Sequence, residues 1–121
     1  MQEHIQNELA SFIANCDWEK IAPHFKEDAA YRVLDWIGCA VAGEHYPQVE
    51  IAQKYFIENG DQGNSTVIGH QTKCSPRTAA FLNGIAGHVC ELDDGHRTAI
   101  GHPGSIAVPT ALALGEHEIA K

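Results

Sequence analysis

Two stretches of this chain combine apolar residues at helical spacing with many small side chains, and they constrain the fold more than any other feature. Residues 34–43 read LDWIGCAVAG and are apolar on nearly every face of a helix, which is typical of the centre of a fold. Residues 76–89 contain three alanines and two glycines, and such small residues allow helix backbones to approach closely. The two stretches therefore predict a helical protein with a tightly packed central pair.

Apolar periodicity along the chain predicts an all-α fold, an array of about five helices in a single domain over residues 1–121. Ser75-Pro76 is a strong start signal for the fourth helix, with serine as the N-cap. Pro109 is tolerable in the fifth helix if it lies in the first turn or marks a kink. Thr66-Val67-Ile68 is β-prone, which predicts one short extended segment near residues 65–69. The predicted helices span about residues 3–16, 23–42, 48–58, 76–89 and 105–118.

Charge and cysteine content exclude several classes of protein. Eight Lys and Arg against 16 Asp and Glu give a net charge of −8, which argues against binding to nucleic acid or to an anionic membrane surface. The four cysteines form no C-x-x-C pair, so neither a zinc ribbon nor an iron–sulfur cluster is expected. There is no basic leader and no window of ~18 apolar residues. We therefore expect a cytoplasmic protein.

Residues 83–105 gather acidic, basic and imidazole groups on a glycine-punctuated turn between apolar segments. A buried helix that runs into a dense cluster of acids and bases is typical of a proton-transfer site. The charged and imidazole side chains of this cluster are His88, Glu91, Asp93, Asp94, His96, Arg97 and His102.

The acids of the cluster and its last histidine lead to two expectations. Two carboxylates ~4 Å apart repel by about 4 kcal/mol at an effective dielectric constant near 20, so one buried acid should hold its proton more tightly than a free side chain. His102 precedes Gly104-Ser105 at the start of the fifth helix, where backbone N–H groups form an anion pocket. The imidazole would stand at the mouth of that pocket.

Each of these residues also has a structural interpretation. Asp93 and Asp94 are able to cap a turn and face water. His102 is able to hydrogen-bond its own loop, and His88 is more typical of a buried structural histidine. Carboxylates and imidazoles are also legitimate ligands for zinc, iron or manganese, although the spacing matches no H-E-x-x-H motif. A metal-dependent hydrolase is therefore a further alternative, with ligands Asp93, Asp94, His96 and His102.

Residues 79–116, AAFLNGIAGHVCELDDGHRTAIGHPGSIAVPTALALGE, resemble the signature stretch of the MmgE/PrpD family. The segments LDWIGCAVAG and TVIG also resemble the N-terminal pattern of that family, so the resemblance covers nearly the whole chain. The family includes 2-methylcitrate dehydratase, cis-aconitate decarboxylase and an iminodisuccinate epimerase. The resemblance implies a cofactor-independent lyase or isomerase that abstracts a proton next to a carboxylate of a small di- or tricarboxylate.

The resemblance also implies roles for individual residues, and it implies neither a metal nor a cofactor. A family motif of acids followed by threonine corresponds to residues 91–95, with Gly95 in place of the threonine. The histidine of the family's H-P-x-G motif corresponds to His102. The implied catalytic residues are Glu91, Asp93, Asp94 and His102. The implied substrate-binding residues are His96, Arg97, Gly104 and Ser105.

Members of the family are several times longer and add a lid domain that completes the pocket. The resemblance therefore implies that residues 1–121 correspond to the N-terminal part of the helical domain and are catalytically incomplete by themselves. Helices that are apolar on more than one face predict a homo-oligomer, or a companion chain that carries the missing domain. The alternative is a non-catalytic helical remnant or assembly module.

Overall fold

The computed structural model describes residues 2–120, with side chains from His4 onward, and it confirms the all-α fold class. Within this range no helix is both long enough and apolar enough to cross a membrane. The five helices are α1 (Gln2–Ala14), α2 (Pro23–Gly43), α3 (Pro47–Glu58), α4 (Pro76–His88) and α5 (Gly104–Ile119).

All five helices begin and end within two residues of their predicted limits, because the start signals are local. The hydroxyl of Ser75 accepts the N–H of Thr78 at 3.3 Å, and Pro76 occupies the first helical position. Pro109 is buried inside α5, beyond its first turn. Since proline has no N–H, the carbonyl of Ser105 lacks its usual intrahelical donor there.

The first of two compact units ends at Ala30 and contains α1 and the beginning of α2. A 3₁₀ turn at Trp18–Lys20 connects the two helices, and Asp17 caps it by accepting the N–H of Glu19 at 3.1 Å. The apolar stripe of α1 is present as the periodicity predicts, but each of its side chains is more than half exposed. The stripe consists of Ile5, Leu9, Phe12 and Ile13.

The second compact unit begins at Tyr31, and α4 lies at its centre in contact with α3, α5 and the strands. Two apolar clusters pack on α4. The first contains Trp36, Ala40, Val49 and Ala86. The second contains Val67, Cys74, Ala79, Leu82 and Ala113.

Two glycines of α4 allow its neighbours to approach closely, as the small residues of this stretch predict. A Cβ atom at Gly84 would lie 3.1 Å from the carbonyl oxygen of Ser105 on α5. A Cβ atom at Gly87 would lie 2.6 Å from Cε2 of the Trp36 indole on α2. Contacts between carbon atoms are normally about 3.5–4.0 Å, so a larger residue at either position forces a neighbour to move.

The expectation that residues 34–43 form a central helix buried all round is wrong for part of their surface. Trp36, Cys39 and Ala40 are buried, whereas Leu34 and Val41 are 66% and 51% exposed. The reason is geometric: the partners of α2 in this unit lie on the side of Trp36 and Ala40. The opposite apolar face of α2 is therefore presented to solvent in this chain.

The predicted extended segment forms a small antiparallel hairpin of β1 (Ser65–Thr66) and β2 (Lys73–Cys74). The side chain of Asn83 on α4 holds β1: its amide donates to the carbonyl of Thr66 at 2.9 Å. From α5, the carboxylate of Glu116 accepts the hydroxyl of Thr66 at 2.8 Å. Through these two hydrogen bonds β1 connects α4 with α5.

Candidate active site

The candidate site lies in the connection between α4, which ends at His88, and α5, which begins at Gly104. Two non-glycine residues of this connection have positive φ angles, Glu91 at 53° and Ile100 at 49°. A left-handed backbone conformation costs a residue with a Cβ atom about 1–2 kcal/mol. The chain therefore stores local strain at two positions, one at the candidate catalytic residue Glu91 and one at Ile100, beyond the acidic motif.

The Asp93 side chain is fully buried at the centre of the site and accepts hydrogen bonds from two sides. The hydroxyl of Ser105 donates to Oδ2 at 2.5 Å, and Nδ1 of His88 lies 3.2 Å from both oxygens. The indole N–H of Trp36 donates to the Ser105 hydroxyl at 3.2 Å. Because an indole only donates and a carboxylate only accepts, every bond in this network has a defined direction.

The expectation that a buried acid would hold its proton more tightly is wrong for Asp93. Burial raises the pKa of its carboxyl, but hydrogen bonds from Ser105 and His88 and the charge of His88 lower it. The pKa of Asp93 therefore lies below the usual value for an aspartate. The residue is an anionic hydrogen-bond acceptor near neutral pH, and it is poorly suited to be the proton-transferring group.

His88 and His102 share the Asp93 carboxylate. Their rings meet edge to face with centroids 4.6 Å apart, and Nδ1 of His102 lies 3.3 Å from Oδ1 of Asp93. That His102 contact is electrostatic, because its angle does not meet hydrogen-bond geometry. His88 in contrast donates its Nδ1–H to the anionic Asp93, so its neutral form carries the lone pair on Nε2.

Glu91 lies on the outer side of the two imidazoles. Its carboxylate oxygens are 3.5 Å from Nε2 of His88 and 4.0 Å from Nε2 of His102. The Glu91 side chain is 71% exposed, against 43% for His88 and 34% for His102. The site is thus layered, with an anchored carboxylate inside, two imidazoles in the middle and an accessible carboxylate outside.

A cleft of about 660 Å³ opens beside the imidazoles between α4 and α5. His88, His102 and Ser105 supply its polar edge, and the rest of its wall is mostly apolar. Gly84 of α4 also lines the cleft, on the same helix face as His88 one turn later. A small molecule in this cleft would have two imidazoles within reach.

Asp94 points away from Asp93. Its Oδ1 accepts the backbone N–H of Gly104 at 2.8 Å, at the first turn of α5. A carboxylate is stabilised at a helix N-terminus, where the backbone N–H groups lack partners. The predicted anion pocket therefore exists, and the side chain of Asp94 already uses the N–H of Gly104. Asp94 lines a second cavity on the side of Trp36, separate from the cleft.

His96 and Arg97 lie on an exposed turn, and neither lines the cleft. The turn is closed by the N–H of His96, which donates to the carbonyl of Gly101 at 2.9 Å. Nδ1 of His96 accepts the N–H of Ala99 at 3.0 Å. These bonds are local to the turn, so the structure does not bring His96 into the group formed by His88, Glu91 and His102.

Among the side chains that the structure describes, from His4 onward, the acid and imidazole groups close enough to share an ion are His88, Glu91 and His102, with ligand atoms within 4.8 Å of one another. The set suggested by the sequence, which combined His102 with Asp93, Asp94 and His96, is not brought together. Asp94 is turned to the start of α5, and His96 belongs to the exposed turn.

Sequence reasoning missed two residues of the site. His88 is not an isolated structural histidine: it ends α4, and Glu91, three residues later, lies 3.5 Å from its Nε2. Trp36 reaches Ser105 across 69 positions of the chain. No local pattern contains that contact, because it depends on how closely α2 packs on α4.

Comparisons with known proteins give a consistent result. The MmgE/PrpD N-terminal domain matches residues 7–121. The cis-aconitate decarboxylase-like protein oryM of Aspergillus oryzae is 31% identical over 113 residues, which are 93% of this chain and 23% of that protein. The cis-aconitate decarboxylase of Homo sapiens is 33% identical over 85 residues, 69% of this chain and 18% of that protein. The chain thus spans about a fifth of the length of these curated relatives.

Proposed function

This chain belongs to the MmgE/PrpD family, and on that premise we propose that it supplies the proton-transfer groups of a cofactor-independent lyase or isomerase. The substrate is a small di- or tricarboxylate that loses a proton next to a carboxylate. One observation carries the proposal: two imidazoles face the buried Asp93 with Nδ1 and the accessible Glu91 with Nε2.

In this proposal Glu91 and His102 are the catalytic pair and Asp93 is a positioning residue. Glu91 is the accessible carboxylate, and His102 lines the cleft next to it. Proton abstraction needs a base within hydrogen-bond reach of the substrate, and a second group then protonates the leaving oxygen or the opposite face. Asp93 holds the imidazole of His88 in a defined orientation through its hydrogen bond, as buried carboxylates do in other acid–base sites.

The proposed substrate class rests on the family and on the two relatives, one a cis-aconitate decarboxylase and the other a cis-aconitate decarboxylase-like protein. A tricarboxylate at this site meets Glu91 and Asp93, so it needs cationic groups to offset their charge. Arg97 supplies one such charge from the exposed turn. We propose that further cations come from a companion chain or a second copy of this one.

The proposal is tested by proton exchange, which reports the first chemical step even where product forms slowly. The chain is incubated in D₂O with cis-aconitate, citrate, 2-methylcitrate or iminodisuccinate, and deuterium incorporation is followed by NMR. We expect exchange with at least one of them. Glu91→Gln and His102→Gln should each lower its rate by about 100-fold or more, because general acid–base groups contribute about 10²–10⁴-fold.

His70→Gln is the matched control, because His70 is exposed and its Nδ1 accepts the local N–H of Thr72 at 3.1 Å. This variant should exchange protons at the rate of the unsubstituted chain. Two results overturn the proposal: an exchange rate that survives both Glu91→Gln and His102→Gln, or no exchange with any of the four acids by the chain alone and by the chain mixed with a companion chain that carries the lid domain.

A second candidate function, an assembly module without catalysis, is favoured by the exposed apolar side chains of α5. Ile106 is 73% exposed and Leu114 is 50% exposed. Apolar surface of this kind commonly marks a protein–protein interface. Light scattering should then give a mass above one chain at micromolar concentration, and Leu114→Asp should reduce it. A mass equal to one chain contradicts this candidate.

A further inference from the structure

We propose that His88, Glu91 and His102 form a binding site for one divalent transition-metal ion of the zinc class. The Glu91 carboxylate lies 3.5 Å from Nε2 of His88 and 4.0 Å from Nε2 of His102. Ligand atoms at about 2.0–2.1 Å from a tetrahedral ion lie about 3.3–3.4 Å from one another. The three ligand atoms lie within 4.8 Å of one another, so side-chain movements of about 1 Å bring them to ligand spacing.

Asp93 gives this site the support that metal-binding imidazoles normally have. A histidine ligand usually donates its second ring N–H to a carboxylate, which fixes the ring and leaves the other nitrogen free for the ion. Here the buried Asp93 accepts the Nδ1–H of His88 at 3.2 Å, and it lies 3.3 Å from Nδ1 of His102 without a hydrogen bond to it. Both Nε2 atoms are consequently directed to the same side, where Glu91 lies.

The donor set determines which ions fit. Two imidazole nitrogens and one carboxylate suit zinc, iron, cobalt or nickel, whereas magnesium and calcium prefer sites made of oxygen ligands. Three protein ligands leave at least one coordination position for water or a substrate oxygen. The partial exposure of all three side chains provides a path for the ion to enter.

The consequence for activity rests on the proposed function. A bound ion takes the lone pairs of Glu91 and His102 that the proposed proton transfer requires. Metal binding and proton transfer then exclude each other, so Zn²⁺ acts as an inhibitor that competes for the catalytic pair. The binding itself does not depend on that function.

Calorimetric titration of the chelator-treated chain with Zn²⁺ alone tests the site. We expect one ion per chain. Affinity should fall about tenfold or more in His88→Gln, Glu91→Gln and His102→Gln, and about 10–100-fold in Asp93→Asn, which keeps all three ligands but changes their support. His70→Gln should bind as the unsubstituted chain does. Circular dichroism of each variant shows that it is folded.

A measurement on the unsubstituted chain removes any dependence on variant folding. Substoichiometric Zn²⁺ should shift the imidazole NMR signals of His88 and His102 and leave those of His70 unchanged. Three results overturn the proposal. They are no heat of binding at millimolar Zn²⁺, NMR shifts at other histidines only, and a Zn²⁺ affinity in the three ligand variants equal to that of the unsubstituted chain. The heat of Zn²⁺ binding and the NMR shifts report binding and not catalysis, so their outcome does not depend on the outcome of the exchange assay. Zinc binding without proton exchange supports the metal site and contradicts the proposed function.

Discussion

Replacing Gly87 with alanine should destabilise this protein, and the structure allows the magnitude to be worked out. The added Cβ atom would overlap Nε1 of the Trp36 indole and lie 2.6 Å from its Cε2. Ordinary carbon contacts are about 3.5–4.0 Å, so the indole has to move by about 1 Å. Trp36 is 2% exposed and packs in a buried cluster with Ala40 and Val49, so a movement of its ring disturbs that packing.

Three contributions decide whether Gly87→Ala raises or lowers the free energy of unfolding. Overpacking a core costs about 1–3 kcal/mol. Moving the indole also breaks its 3.2 Å hydrogen bond to Ser105, which costs about 0.5–1.5 kcal/mol. Alanine in a helix interior returns about 0.8–1.0 kcal/mol relative to glycine. The sum is a net loss of about 0.5–3.7 kcal/mol.

Gly38→Ala is the matched control, because Gly38 is also inside a helix and its added Cβ atom meets nothing within 4 Å. This variant should gain about 0.5–1 kcal/mol from helix propensity alone. Urea denaturation followed by circular dichroism measures both free energies of unfolding. If Gly87→Ala is as stable as Gly38→Ala, the close packing of α2 on α4 described here is wrong.

Three other predictions concern the site and its connection. Because the folded pKa of Asp93 is lowered, its contribution to stability is complete above the unfolded value near 3.9 and is lost as the pH falls through the folded value. Asp93→Asn should therefore show a weaker loss of unfolding free energy between about pH 5 and pH 2 than the unsubstituted chain; parallel curves contradict this. Ile100→Gly should stabilise the chain by about 0.5–1 kcal/mol in urea denaturation, because Ile100 is 90% exposed and its φ of 49° suits glycine; a loss of stability contradicts the strain. Gly95→Thr should change the melting temperature by less than about 2 °C, because its Cβ atom meets nothing within 4 Å; a large decrease would show that the position is enclosed.

The sequence predicted the fold well where the controlling interactions are local. Ser75-Pro76 starts α4 through a hydrogen bond to Thr78, three residues away, so its signal is complete in a short window. The central helix was predicted less well. Leu34 and Val41 are apolar like their buried neighbours, and the pattern of one helix does not record which of its faces has a partner.

The candidate site was likewise predicted in part from the sequence. The run of residues 83–105 was recognisable from its acids and histidines, and the structure does bring Glu91, Asp93 and His102 together. The sequence did not distinguish Asp93 from the adjacent Asp94, although the first is buried against Ser105 and the second lines a cavity on the side of Trp36. Adjacent side chains on an irregular segment diverge according to backbone angles, and those angles are set by the docking of α5 on α4.

By itself the amino-acid sequence determined five helices, their limits, the extended segment near residues 65–69 and the family, because helix periodicity, capping and motif spacing act over a few residues. Only the tertiary structure decided that Asp93 is an anchored anion, that His88 joins the site and that Asp94 caps α5. Those roles depend on burial and on hydrogen bonds between residues far apart in the chain, such as Trp36 and Ser105. An aspartate has the same letter in the sequence whether its carboxylate is solvated or is buried and held by two side-chain donors, and its environment sets its charge and its partners.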